Sequence, residues 1–218
     1  MPLFKVIDIN STSKVFLWKI TEDFNELFRN VALKDTSLAR LEGMKSEGHQ
    51  KGFLAVRMLF QHAGYDDFDL YYDDFGKPHL KDGTHISISH SFDFAAIVLS
   101  GCNIGIDLEQ IKEKIVRLAP RFMDVSHLEN LSETDTMKKA TVVWGVKEAI
   151  FKLKNEVGIS FLDHIFEDPF QLSDKKCSAE LHFNDVIRHY DIIFEEIDCG
   201  NGEEKEHNYM LVCAVESE

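Results

Sequence analysis

The period of the hydrophobic pattern changes several times along this chain, and the order of those changes is what most limits the fold. Phe4, Val6 and Ile9, then Val15, Leu17 and Ile20, recur at strand-like spacing. From about Asp35 to Ala63 the period is helical: Phe53, Leu54, Val56, Leu59, Phe60 and Ala63 share one face, and Gly64 is a stop signal. A short strand, Phe68–Tyr72, and a glycine-containing turn, Phe75–Pro78, follow. Strand runs then recur at Ile86–His90 and Ala95–Leu99, and a turn at Ser100–Asn103 leads into a strand, Ile104–Leu108. A second cycle begins there. Short helical pieces run from Ile111 to Leu131, broken at Pro120. Ser132 reads as an N-cap with an acid three residues on, opening a long helix to about Lys154. Strands return at Ala179–Phe183, Arg188–Phe194 and Tyr209–Val215, with Gly200–Glu206 as a hairpin loop. This order predicts an α+β fold: a pseudo-dimer of two similar halves, each a small antiparallel sheet packed against a long helix. The halves are expected at residues 1–102 and 103–218. No internal sequence repeat is visible, so the two-half reading rests on element order.

Composition narrows the function classes. At 44% hydrophobic and 28% charged residues, the chain has enough apolar content for a real core. With 24 Lys+Arg against 38 Asp+Glu, the formal net charge is −14. That balance disfavours broad binding to nucleic acid or to anionic membrane surfaces, because both need a basic face. An anionic ligand has to be met by a local basic site or a metal. The N-terminus lacks the apolar core of a signal peptide, and no stretch reads as a membrane span. Cys102, Cys177, Cys199 and Cys213 show no C-x-x-C spacing, and the expectation is reduced thiols in a cytoplasmic protein.

Four stretches carry chemistry. In Gly105-Ile106-Asp107-Leu108-Glu109, strand alternation puts both carboxylates on one face, with Ile106 and Leu108 toward the core. Two such carboxylates repel each other and lose solvation, and an oxygen-seeking divalent cation relieves both costs. The same pattern also suits a solvent-facing amphipathic strand. In Trp144-Gly145-Val146-Lys147-Glu148-Ala149-Ile150-Phe151-Lys152, Glu148 and Lys152 stack one helical turn apart. They read either as a simple intrahelical pair or, given the apolar neighbours, as charges with specific partners; Lys147 is a possible second cationic contact. Ile86-Ser87-Ile88-Ser89-His90-Ser91 offers hydroxyls and an imidazole suited to phosphate oxygens better than to a hydrolytic triad, since no G-x-S-x-G elbow is present. Gly76-Lys77-Pro78 holds a lysine on a rigid turn.

Taken in order, these stretches resemble the 4'-phosphopantetheinyl transferase superfamily, in its longer, single-chain Sfp-type branch. The likeness covers about residues 46 to 161. It rests on G-I-D-x-E and W-x-x-K-E-A-x-x-K with I-S-H-S upstream, on Phe53-Leu54-Ala55-Val56-Arg57 and on Arg121-Phe122-Met123. The resemblance implies coenzyme A held between two halves and Mg²⁺ held by Asp107, Glu109 and Glu148. It implies transfer of 4'-phosphopantetheine to a serine of an apo acyl or peptidyl carrier protein, releasing 3',5'-ADP. Glu148 and Lys152 would be catalytic. Lys77, Ser89, His90 and Lys152 would contact coenzyme A, with Arg40 and Lys45 toward its 3'-phosphate. A monomer is expected. The alternatives are a coenzyme A pyrophosphate hydrolase or a non-catalytic homologue that binds coenzyme A or the carrier. Ser87, Gly145 and Asn155–Ile159 depart from the family pattern without removing a charged group. Residues 111 to 155 are locally basic, and Lys112, Lys114 and Arg117 are expected to meet the acidic carrier.

Overall fold

The computed structural model describes residues 3–199 and 208–217. The chain packs as two compact units, Met1–Cys102 and Asn103–Glu218. The hairpin loop expected at Gly200–Glu206 lies outside the described residues.

The first unit contains strands β1 (Leu3–Asn10) and β2 (Ser13–Lys19), and helices α1 (Phe24–Arg29), α2 (Asp35–Glu42) and α3 (Glu47–His62). Strands β3 (Leu70–Tyr72), β4 (Pro78–Leu80), β5 (His85–Ser91) and β6 (Phe94–Ser100) complete it. The main sheet is antiparallel in the order β1-β2-β6-β5, and β3 and β4 form a separate ribbon. The apolar face of α3, with Phe53, Leu54, Val56, Leu59 and Phe60, buries against Trp18, Ile86, Ala95 and Ile97. The helical period read over 35–63 is two helices. Gly43 caps α2 and Ser46 begins α3, so the chain turns between two segments of similar periodicity. A buried polar hub fixes α3 to the loop ahead of β3. Asp67 accepts from Arg57 Nε at 3.0 Å, from Ser37 Oγ at 3.0 Å and from the Lys34 backbone N–H at 3.0 Å.

The second unit contains β7 (Ile104–Gln110), α4 (Lys114–Leu118), two 3-10 turns (Ala119–Arg121 and Val125–Leu128) and α5 (Glu133–Lys154). Then come α6 (Phe161–His164), β8 (Ile165–Glu167), a third 3-10 turn (Leu172–Asp174), β9 (Lys176–Phe183), β10 (Val186–Ile197) and β11 (Tyr209–Glu216). The sheet order is β7-β11-β10-β9-β8, antiparallel throughout. Ser132 caps α5 as expected, accepting from the Asp135 N–H at 3.1 Å, and Asn155 ends the helix in the left-handed region at φ 52°.

Two glycines let α5 lie close on the sheet. A Cβ on Gly105 would fall 2.0 Å from the Ala149 carbonyl oxygen, and one on Gly145 would fall 2.5 Å from Val212 Cγ2. The departure at Gly145 is thus matched by a valine on β11 that fills the space a side chain would need.

Both units share one connection pattern. In the first, β2 is followed by helices and a hairpin whose last strand, β6, returns beside β2; in the second, β7 is followed by helices and, later, a hairpin whose last strand, β11, returns beside β7.

Candidate functional site

The acidic strand turns its charged face inward. Gly105, Asp107 and Glu109 share a face of β7, and the contact of Gly105 with Ala149 shows that this face is the one covered by α5. Asp107 is only 3% exposed and Glu109 is half-buried. Ile106 and Leu108, on the other face, are fully buried as well. A solvent-facing strand is therefore the wrong picture, since both faces of β7 are enclosed.

Helix α5 brings the second set of charges to the same place. Lys152 Nζ donates to Asp107 Oδ1 at 2.7 Å and to the Ile106 carbonyl at 3.0 Å, so its partner is across the helix–sheet interface. Glu148, one turn earlier, is half-buried. Burial is the main reason its carboxyl is pushed up to about 7; the Asp107 and Glu109 carboxylates push the same way and the Lys152 ammonium pulls it back down. Three carboxylates and one lysine from β7 and α5 therefore form one electrostatically coupled group.

Lys147 does not join it. Its ammonium is buried, donates to Glu167 Oε2 at 2.6 Å and to the Ile165 carbonyl at 2.5 Å, and belongs to the opposite edge of the sheet. Burial pulls its pKa down, while the Glu167 charge opposes that shift. Trp144 packs edge-on between Phe122 and Phe161, with ring centroids at 5.2 and 5.5 Å.

The donor set suits a hard divalent cation. All three acidic side chains offer oxygen, and their mutual repulsion would be relieved by two positive charges. Among the described residues no three His, Cys, Asp or Glu side chains close into a metal-holding cluster by themselves.

In the first unit, several of the residues expected at coenzyme A surround the N-terminal half of α3. The Arg40 guanidinium lies 4.9 Å from the Tyr72 ring and 5.9 Å from the Phe53 ring. Tyr72 pairs with Pro78, next to Lys77. The Lys77 turn is held by Asp73, whose carboxylate accepts from the Lys77 N–H at 2.9 Å and bonds His79 Nε2 at 3.1 Å. His90 is exposed and lies against Gly52 of α3, where a Cβ would come within 3.2 Å of its ring. Ser89 is buried and, as its strand neighbour, points to the opposite face from His90. Lys45 is exposed in the turn between α2 and α3.

The basic stretch at 111–155 is narrower than its residue count implies. Lys138 pairs with Glu196 at 2.7 Å, Lys154 with Glu216 at 3.4 Å, and Lys147 and Lys152 are tied as above. Lys114, Arg117 and Arg121 are exposed on and just after α4. All four cysteines are free thiols; Cys213 is buried and the other three are half-buried. Among the described residues, no helix is long and apolar enough to cross a membrane.

Three carboxylates and a lysine thus gather where α5 packs on β7. Residues 103–206 match the family model of the 4'-phosphopantetheinyl transferase superfamily. The chain is 26% identical over 83 residues to 4'-phosphopantetheinyl transferase gsp of Aneurinibacillus migulanus, covering 37% of this chain and 35% of that protein. It is 30% identical over 91 residues to 4'-phosphopantetheinyl transferase psf-1 of Bacillus pumilus, covering 39% of each. The aligned stretches thus span well under half of either relative.

Proposed function

We propose that this protein is a Mg²⁺-dependent 4'-phosphopantetheinyl transferase of the Sfp type, moving the phosphopantetheine arm of coenzyme A onto a carrier-protein serine. One observation carries the reading: Asp107, Glu109, Glu148 and Lys152 are coupled in one site by the approach of α5 to β7. The similarity of residues 103–206 to the transferase superfamily supports it. So does the connection pattern shared by the two units, which is what a pseudo-dimeric fold requires.

In this reading the serine hydroxyl oxygen bonds to the β-phosphorus of coenzyme A, and the bridging P–O bond breaks to release 3',5'-ADP. Asp107, Glu109 and Glu148 would hold Mg²⁺, which when bound supplies charge neutralisation at the pyrophosphate. Glu148, directly or through a water that it orients, would accept the serine proton. Lys152 stabilises negative charge on the leaving phosphate, and its bond to Asp107 keeps the ammonium oriented before substrate arrives. Lys77, Ser89 and His90 contribute contacts to coenzyme A, with Arg40 and Lys45 toward its 3'-phosphate. Lys112, Lys114 and Arg117 form the docking surface for an acidic carrier.

The test is intact-mass spectrometry of an apo acyl carrier protein incubated with this protein, coenzyme A and Mg²⁺. A gain of roughly 340 Da, abolished by EDTA and by Asp107→Ala, is the expected result. An unchanged carrier with 3',5'-ADP in solution would instead make the protein a coenzyme A hydrolase. Neither product, across several carriers, would sink the enzymatic reading.

A further inference from the structure

The buried ion pair of the second unit lies outside the chemistry just described. Lys147 and Glu167 are among the least accessible charged side chains in the unit, at 3% and 5% exposure. Pairs of this kind seldom add stability, because desolvating two ions offsets most of their attraction, and apolar replacements of similar volume are often as stable or more so. Stability alone does not explain this one, and its position suggests another role.

Helix α5 carries two lysines that leave it in different directions. Lys152 grips Asp107 on β7, the first strand of the sheet, and Lys147 grips Glu167 on β8, the last. Five residues at about 100° each put the two side chains roughly 140° apart around the helix axis. Rolling α5 to either side therefore loosens one of the two contacts. Glu148 follows Lys147 directly and stands one turn before Lys152, so the roll of α5 decides how Glu148 faces Asp107 and Glu109. Glu167 has a further neighbour: its Oε1 lies 3.5 Å from His127 Nδ1, an ion pair when the imidazole is protonated, in the turn Val125–Leu128 that precedes α5. The Ile165 carbonyl gives Lys147 a second acceptor on the same strand.

We propose that His127, Glu167 and Lys147 form a positioning device that sets the roll of α5 and thereby aims Glu148 at the β7 carboxylates. The inference rests on the transferase reading of that site. Its members touch neither substrate nor metal; they act through Glu148.

The test separates aim from stability. In Lys147→Met/Glu167→Met both charges leave together, so no unpaired ion stays buried. The expected variant melts within a few degrees of wild type or above it. Its kcat for carrier modification falls at least about tenfold while KM for coenzyme A stays within about threefold, since small misplacements of a reacting group are costly. His127→Ala is the milder companion: it frees one Glu167 oxygen at a half-exposed position, and kcat should fall about threefold with the melting temperature unchanged. A well-folded double variant with wild-type kcat overturns the proposal. If the double variant fails to fold, His127→Ala decides alone, and wild-type kcat there overturns it. A wild-type protein that modifies no carrier refutes the transferase reading instead, so the two failures are distinguishable.

Discussion

Replacing Glu148 with glutamine should make the metal-free protein more stable and transfer-inactive at once. The carboxyl is pushed from its ordinary 4.5 to about 7, chiefly by burial and then by the Asp107 charge. Each pH unit of such a difference corresponds to about 1.4 kcal/mol between the two protonation states. Fully ionised, Glu148 therefore costs the folded state about 3 kcal/mol. The sign follows from linkage: a carboxyl whose folded value is raised contributes stability that is complete below about 4.5 and is lost as the pH rises through about 7. Glutamine keeps the shape without the charge. Its advantage over glutamate should be under about 1 kcal/mol at pH 5 and approach about 3 kcal/mol at pH 8.5, less whatever solvent reaching this half-buried site screens away. Urea unfolding in EDTA at both pH values measures it, with the difference taken at each pH so that other titrating groups cancel. Adding Mg²⁺ should stabilise wild type more than the variant. A difference that stays constant from pH 5 to 8.5, or a variant less stable than wild type at pH 8.5, would refute the electrostatic account of the site.

The remaining predictions probe how the fold holds this site and what docks on it. Gly105→Ala places a methyl within 2.0 Å of a backbone oxygen, so α5 must lift; stability should fall by at least about 1–3 kcal/mol in urea unfolding, and transfer should be lost with it. Asp67→Ala leaves Arg57 buried without its carboxylate and should cost about 3–5 kcal/mol; a loss below about 1 kcal/mol would mean the hub is not holding α3. Reversing Lys112, Lys114 and Arg117 to glutamate should raise the carrier KM about tenfold at low salt and leave the coenzyme A KM alone. Unchanged carrier kinetics would remove that surface from the docking proposal.

Strong periodicity made the large elements legible. The 22 residues of α5 have a capping serine at one end and a left-handed asparagine at the other, and their start and stop are written locally. The elements that sequence reading missed are α1, α6, β4 and β8, none longer than six residues. A periodic pattern needs more residues than that to rise above noise. The break between α2 and α3 was hidden for a related reason: both helices carry similar apolar spacing, and Gly43 interrupts the chain without interrupting the pattern.

The site divides along the same physical line. Strand and helix periods suffice to pair Asp107 with Glu109 and Glu148 with Lys152, because each pair is local. What those periods cannot supply is the distance between β7 and α5, and that distance decides the chemistry. It is set by Gly105, where only a missing side chain lets the helix carbonyl approach, and it converts a surface-like D-x-E strand into an enclosed group with one proton-seeking carboxyl. Lys147 shows the converse. Its sequence neighbours are apolar and its neighbour Glu148 is acidic, so local reading points it at the site; its actual partner is twenty residues downstream on a three-residue strand that no pattern announced. A buried charge is assigned by whatever tertiary partner can neutralise it, and for a lysine with a long flexible stem that partner can sit on either side of the helix. The candidate motif is thus readable from spacing, whereas the clamp proposed to aim it is a property of the packed sheet.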